Sequence, residues 1–213
     1  MSENNRISLL TTFDELKSHG CICQERILEF KNDSDYPVFW AEPRKNTIIA
    51  NEASPFSDND LVKKFILLHE EGHFKPFDWK IFLRYNTLFV FLAVIILVCT
   101  TVIPSLYLIF MILEFFLFFS YGLRSLSKTD EIKSDIYSCT CLKDTFHISK
   151  PSDVIKETFI FFRETIQPIK AKNQKNLLQK IRYAILRYYV YTHLPLEAQI
   201  AIIEKEVETN TKY

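Results

Sequence analysis

Leu67-Leu68-His69-Glu70-Glu71-Gly72-His73-Phe74 is the stretch on which the reading of this chain turns. Two histidines four apart on a helix lie on one face, about one turn from each other. Their imidazoles can grip one Zn²⁺ together, and the Glu70 carboxylate beside the first can reach a water on the metal. Zinc brings that water's pKa to about 7, so a neighbouring carboxylate can take its proton and the oxygen can attack a carbonyl.

The flanking residues support a helix. Phe56-Ser57-Asp58-Asn59-Asp60-Leu61 predicts a start with Ser57 as N-cap, Asp60 as an approximate capping-box partner, and Phe56 and Leu61 as a hydrophobic staple. From there Val62, Phe65, Ile66, His69 and His73 follow the 3.6-residue period, while Lys63, Lys64, Glu71 and Lys75 fall elsewhere. Histidines on an apolar stripe need partners. A metal is one answer and hydrogen-bonded core histidines are another; this helix alone leaves both open.

A catalytic zinc site takes three protein ligands and keeps one position open. The candidate third ligand lies in Asp130-Glu131-Ile132-Lys133-Ser134-Asp135. Glu131 and Asp135 are four apart on one predicted helix, so Glu131 can bind the metal while Asp135 hydrogen-bonds a ligand histidine. The same spacing is common on solvated helix faces, which is the competing reading.

The 213 residues suit one domain of ordinary size, and a formal net charge of zero gives no reason to expect nucleic acid. Residues 1–30 hold no continuous apolar run of the kind a signal peptide needs. Cys21-x-Cys23, near His19, and Cys139-x-Cys141 lack the spacing of zinc ribbons and read as reduced thiols.

Along the chain, a helical arm is expected from about Thr12 to Phe30, then a turn at Asn32-Asp33-Ser34-Asp35. Val38-Phe39-Trp40-Ala41 and Thr47-Ile48-Ile49-Ala50, separated by Glu42 to Asn46, predict a β-hairpin whose edge can hold a peptide as an added strand. Helices are expected over 129–142, 152–169, 176–191 and about 195–209.

From Tyr85 to Leu123 the chain is almost wholly apolar, and it is enriched in phenylalanine, with seven of the 19. One helix of that length would span about 60 Å, twice a bilayer's hydrocarbon core, and Pro104 sits near its middle. The expectation is two membrane passes, roughly 87–103 and 105–122. Lys75, Lys80 and Arg84 before the segment and Arg124, Lys128 and Lys133 after it would place both ends in the cytoplasm. Two passes would return Glu131 to the side of His69. Glu114, inside the second pass, would need a partner and takes no assigned role.

With these residues together, the chain resembles the HtpX and CAAX-prenyl-protease group of membrane-embedded zinc metalloproteases. The resemblance rests on His69-Glu70-Glu71-Gly72-His73 with Asp78 following, on Glu131-Ile132-Lys133-Ser134-Asp135, and on Thr192-His193-Leu194-Pro195-Leu196-Glu197-Ala198-Gln199-Ile200. Ser134 stands for an alanine of the family pattern, Leu194 for a proline and Gln199 for an arginine. Two N-terminal membrane passes usual in bacterial members are not found in residues 1–84. Membrane-anchored peptidases that sense β-lactams share the first motif and the later aspartate, so the subfamily stays open.

The resemblance implies a gluzincin fold, one zinc per chain and endoproteolysis at the cytoplasmic face, with His193 near the site as a stabiliser of the oxyanion. The expected architecture is therefore mainly α with a small β-hairpin, a gluzincin-like metalloprotease domain interrupted by a two-helix transmembrane hairpin. Residues 1–84 and 124–213 would form one cytoplasmic catalytic domain around the hairpin at 85–123. The expected site is His69, His73 and Glu131 on zinc, Glu70 and His193 as catalytic residues, and Asp135 orienting a ligand. Its partners would be the lipid bilayer and a protein or peptide substrate; the oligomeric state is left open. A membrane scaffold with a relict metal site is the rival class, and a small membrane-disrupting protein a third.

Overall fold

Residues 2–32, 38–85, 87, 91, 94–95, 98, 112, 123–166 and 196–210 are described by the computed structural model. Contacts divide the chain into two compact units, Met1–Pro76 with Ser134–Tyr213, and Phe77–Lys133. The boundary at 133/134 falls inside a continuous helix.

The first unit opens with helix α1, Glu3–Ser18, whose N-cap Ser2 accepts a hydrogen bond from the Asn5 amide. It ends where Gly20 takes φ +71, a conformation that favours glycine, and the amides of Gly20 and Cys21 return to the carbonyls of Lys17 and Leu16. Leu9, Phe13 and Leu16 bury its inner face. The arm expected to be helical through Phe30 is therefore corrected. Beyond the glycine stop, strand β1 (Ile27–Lys31) runs parallel to a strand twenty residues ahead, and that pairing overrides a helical pattern.

Strands β2 (Phe39–Glu42) and β3 (Thr47–Asn51) pair antiparallel, with Trp40 opposite Ile49 and Ala41 opposite Ile48. A 3₁₀ turn at Pro43–Lys45 joins them, closed by Asn46 in the left-handed region, which asparagine tolerates. The sheet order is β1-β3-β2, three strands rather than a lone hairpin. Because β3 is paired on both sides and buried throughout, Thr47–Ala50 cannot serve as a docking edge.

Helix α2, Asp60–Gly72, carries the two-histidine motif. Its N-cap is Asn59, whose Oδ1 accepts from the amides of Leu61 and Val62 at 2.9 and 3.4 Å, two residues later than the expected Ser57. Ser57 instead accepts from the Asn59 amide, and Phe56 packs edge-on against Phe39. The expected polar side of α2 is also corrected: Lys63 and Glu71 are buried. Helix α2 packs on α1, on β2 and β3, and on helix α5 (Pro151–Phe161), so little of its circumference faces water. Lys63 meets this by running its stem along the helix to Asp60 and Ser8, each 2.6 Å from Nζ.

The second unit begins with helix α3, Trp79–Tyr85, capped by Asp78, whose Oδ1 accepts from the amides of Lys80 and Ile81. Phe77, Trp79 and Phe82 cluster, with Trp79 edge to face against both phenylalanines and the two phenylalanine rings tilted to each other. Two expectations fail here, the transmembrane hairpin over 85–123 and the two-pass membrane localisation with cytoplasmic termini. Among the described residues no helix is long and apolar enough to cross a membrane. Helix α3 has seven residues, about 10 Å of rise against the ~30 Å a span requires. Most of the remaining apolar stretch, including Pro104 and Glu114, lies outside the described residues.

Helix α4, Leu123–Asp144, covers the predicted 129–142 helix and extends it at both ends. Helix α5 starts with Pro151 at its first turn, where a missing amide costs nothing, and passes into a π-helical turn at Phe162–Ile166. The rest of the predicted 152–169 helix, and all of 176–191, lies outside the described residues. Helix α6, Leu196–Asn210, packs on α5 and buries Ile200, Ile203 and Val207.

Candidate metal centre

The centre starts from a glycine. At Gly72, the last residue of α2, an added Cβ would lie 2.5 Å from Ser134 Cα, 2.8 Å from its Cβ and 2.9 Å from its Oγ. Such an approach needs the smallest residue on one side and a small one on the other. It brings the end of α2 against α4, and α4 carries the acidic pair.

His69 and His73 stand one turn apart, their rings edge to face with centroids 4.9 Å apart. His73 is the C-cap of α2 but keeps right-handed helical dihedrals, so the four-residue spacing still places both rings on one side. His69, His73 and Glu131 each offer a ligand atom, and the three atoms lie within 4.8 Å of one another. All three side chains are half-buried, and among the described residues theirs is the cluster that can hold a metal ion.

Asp135, one turn after Glu131, brings its Oδ1 to 2.7 Å from His69 Nδ1 and is 4 % exposed. Ser134 Oγ stands 3.3 Å from His73 Nδ1. Helix α4 therefore supplies a partner for the Nδ1 of both histidines. A proton on Nδ1, donated to the Asp135 carboxylate, leaves the lone pair on Nε2 for a metal and raises its basicity. The donor set fits a divalent cation on charge as well. Glu131 and Asp135 bring carboxylates to two imidazoles, and Lys133 Nζ is paired with Asp130 at 2.6 Å.

Glu71 belongs to a different network. Arg26, just before β1, grips its carboxylate with two bonds, Nε to Oε2 at 2.6 Å and Nη2 to Oε1 at 2.9 Å. The pair is almost wholly buried, with 5 % and 1 % of the side chains exposed. The guanidinium lies over the Phe74 ring, 3.3 Å from its centroid, and also donates to Asn46 Oδ1. One arginine thus ties the end of the metal helix to the hairpin turn.

The residues that the sequence nominates for the metal, His69, His73 and Glu131, come together, and Asp135 lies in hydrogen-bond contact with His69. Glu70 sits on the same helix, 8 % exposed. His193 lies outside the described residues. Asp78, part of the motif resemblance, caps α3. Among the described residues Cys21, Cys23, Cys139 and Cys141 are free thiols and join no group of three ligating side chains. Burial pushes the Cys139 thiol well up, with the Asp135 charge adding to it. Burial first, then Cys21, pushes Cys141 up to about 12.

Four residues of the centre and its support escape a reading of the sequence. Gly72 leaves one signal, as one of only three glycines and inside a helical pattern. Ser134 leaves another, as a small residue between two acidic positions. Arg26 carries no local signal, because its partner lies 45 residues away. Gln199 stands out only as a departure from the family pattern, yet its amide donates to Asp135 Oδ2. Compared with known proteins, the chain matches no family model, no curated protein and no solved structure.

Proposed function

We propose that this chain is a zinc metalloendopeptidase. The observation that carries the reading is the convergence of His69, His73 and Glu131 with the Asp135 carboxylate on His69 Nδ1. Two imidazoles and one carboxylate form the ligand set of catalytic zinc in peptide-hydrolysing sites, and they favour zinc over the harder, all-oxygen ions. When bound, zinc supplies Lewis-acid activation of water and of a carbonyl at neutral pH.

The chain's own residues do the rest. Glu70 is the general base, its carboxylate taking a proton from the attacking water and returning it to the amine nitrogen as the peptide bond breaks. Asp135 holds His69 in one tautomer and one orientation. Ser134 does the same, more weakly, for His73. The resemblance to HtpX-type proteases agrees with this assignment, and the substrate is a protein or peptide backbone.

The test pairs metal content with cleavage. Wild type should hold about one zinc per chain, with much weaker binding in His73→Ala and Glu131→Gln. Glu70→Gln should keep zinc and lose hydrolysis of an unstructured protein such as casein. A protein that binds zinc but cleaves nothing, and whose cellular role survives Glu70→Gln, is a scaffold with a relict site instead.

A further inference from the structure

We propose that Gln199 is a positioning residue of the metal centre, acting through Asp135. The inference rests on the zinc reading above. Asp135 has two carboxylate oxygens with different partners: Oδ1 faces His69 Nδ1 at 2.7 Å, and Oδ2 accepts from the Gln199 side-chain amide. A carboxylate held at one oxygen can turn about its last torsion, a broad and weakly restrained angle. Held at both, its plane is set and so is the direction of the bond to His69.

Gln199 comes from α6, at a position 64 residues from Asp135, so the contact is made by tertiary packing alone. Next to Gln199, Ile200 is buried, and Ile203 one turn on is 1 % exposed, anchoring this part of the helix. Because α6 packs on α5 and α5 on α2, the amide is carried on a supported element rather than on a loop. The C-terminal helix is therefore part of the centre although it supplies no ligand.

The amide is neutral, and that shapes its effect. A cation in its place would draw the negative charge of Asp135 towards itself. Gln199 orients the carboxylate and leaves that charge acting on His69, which keeps the ring basic and a good donor to a divalent ion.

The experiment measures Zn²⁺ affinity of the full chain by chelator competition, for wild type, Gln199→Met, Asp135→Asn and the double variant. Methionine keeps the length of the side chain and removes the donor. Gln199→Met should weaken zinc binding about 10- to 100-fold, the range typical for partners of a metal ligand, while the metal-free protein melts as wild type. In the Asp135→Asn background the same change should have no further effect, because the residue through which it acts has already been altered. Gln199→Glu, the same size with an acceptor for a donor, should weaken binding at least as much.

Zinc affinity equal to wild type in Gln199→Met and Gln199→Glu, or an undiminished effect of Gln199→Met on Asp135→Asn, overturns the inference and leaves the zinc centre standing. Wild type that binds no zinc overturns both.

Discussion

Replacing Gly72 with alanine sets two well-known effects against each other, and the geometry decides between them. Alanine at a helical position normally gains about 1 kcal/mol over glycine. Here the new Cβ would meet Ser134 Cα at 2.5 Å, whereas ordinary contact begins near 3.4 Å. The obstacle is backbone, which cannot swing aside as a side chain would, so the helices must separate by roughly 1 Å. Overpacking of this kind costs about 1–3 kcal/mol. Net stability should change by about 0 to −2 kcal/mol, and at ~2–4 °C per kcal/mol for a chain of this size the melting temperature falls by at most about 8 °C.

The metal is the sharper probe of the same change. His69 and His73 ride on α2, while Glu131 and Asp135 ride on α4, so a separation of roughly 1 Å stretches the ligand set itself. Zinc affinity should drop about 10- to 100-fold, read by chelator competition and by the visible absorption of bound Co²⁺. Adding Ser134→Gly removes the contacts at 2.8 and 2.9 Å but not the one at 2.5 Å, so it should restore affinity only in part. A Gly72→Ala protein that melts higher than wild type and binds zinc equally would refute the close crossing of the two helices.

The buried pair of Arg26 and Glu71 predicts that Arg26→Ala costs about 3–5 kcal/mol in chemical denaturation, because it leaves the buried carboxylate to the more exposed Lys75 ammonium, 3.5 Å away and a weaker partner than the two-bond arginine. Arg26→Met combined with Glu71→Leu, which removes both charges at similar volume, should recover most of that loss; a double variant as unstable as Arg26→Ala would count against the pair. The thiols predict an order of alkylation. Exposed Cys23 should label quickly at pH 8, whereas Cys141, pushed up to about 12, holds only about 10⁻⁴ of its thiolate there and should speed up roughly tenfold per pH unit above it. Peptide mapping that finds Cys141 labelled as fast as Cys23 at pH 8 would contradict its buried setting.

Much of the centre is legible in the amino-acid sequence. His69, Glu70 and His73 are a local pattern, and the four-residue spacing turns directly into a shared helical face. Glu131 and Asp135 are local in the same way, and both stand beside the histidines, Glu131 within the possible metal-holding group and Asp135 on His69 Nδ1. The small strands at Phe39–Glu42 and Thr47–Asn51 are likewise written in β-branched and aromatic runs on either side of a turn. The expectations that fail share one cause. Ile27 to Lys31 has a helical look because its strand partner is distant in sequence, and Lys63 and Glu71 look solvated because a helical wheel knows nothing of neighbours on the other side. The apolar run after Tyr85 suggests a membrane hairpin on length and hydropathy, a signal that describes how much surface avoids water but not how the backbone is arranged.

The sequence alone settles the chemistry available: two imidazoles and a carboxylate between them on one helix, and two carboxylates one turn apart on another. Such groups are set by spacing along a single helix, where 3.6 residues per turn leaves little freedom. Packing settles the rest. It makes these two faces meet, through Gly72 on Ser134, and it brings Gln199 and Arg26 in to hold them. Contacts between residues 45 to 64 positions apart depend on how whole elements pack. No periodicity within one element records that.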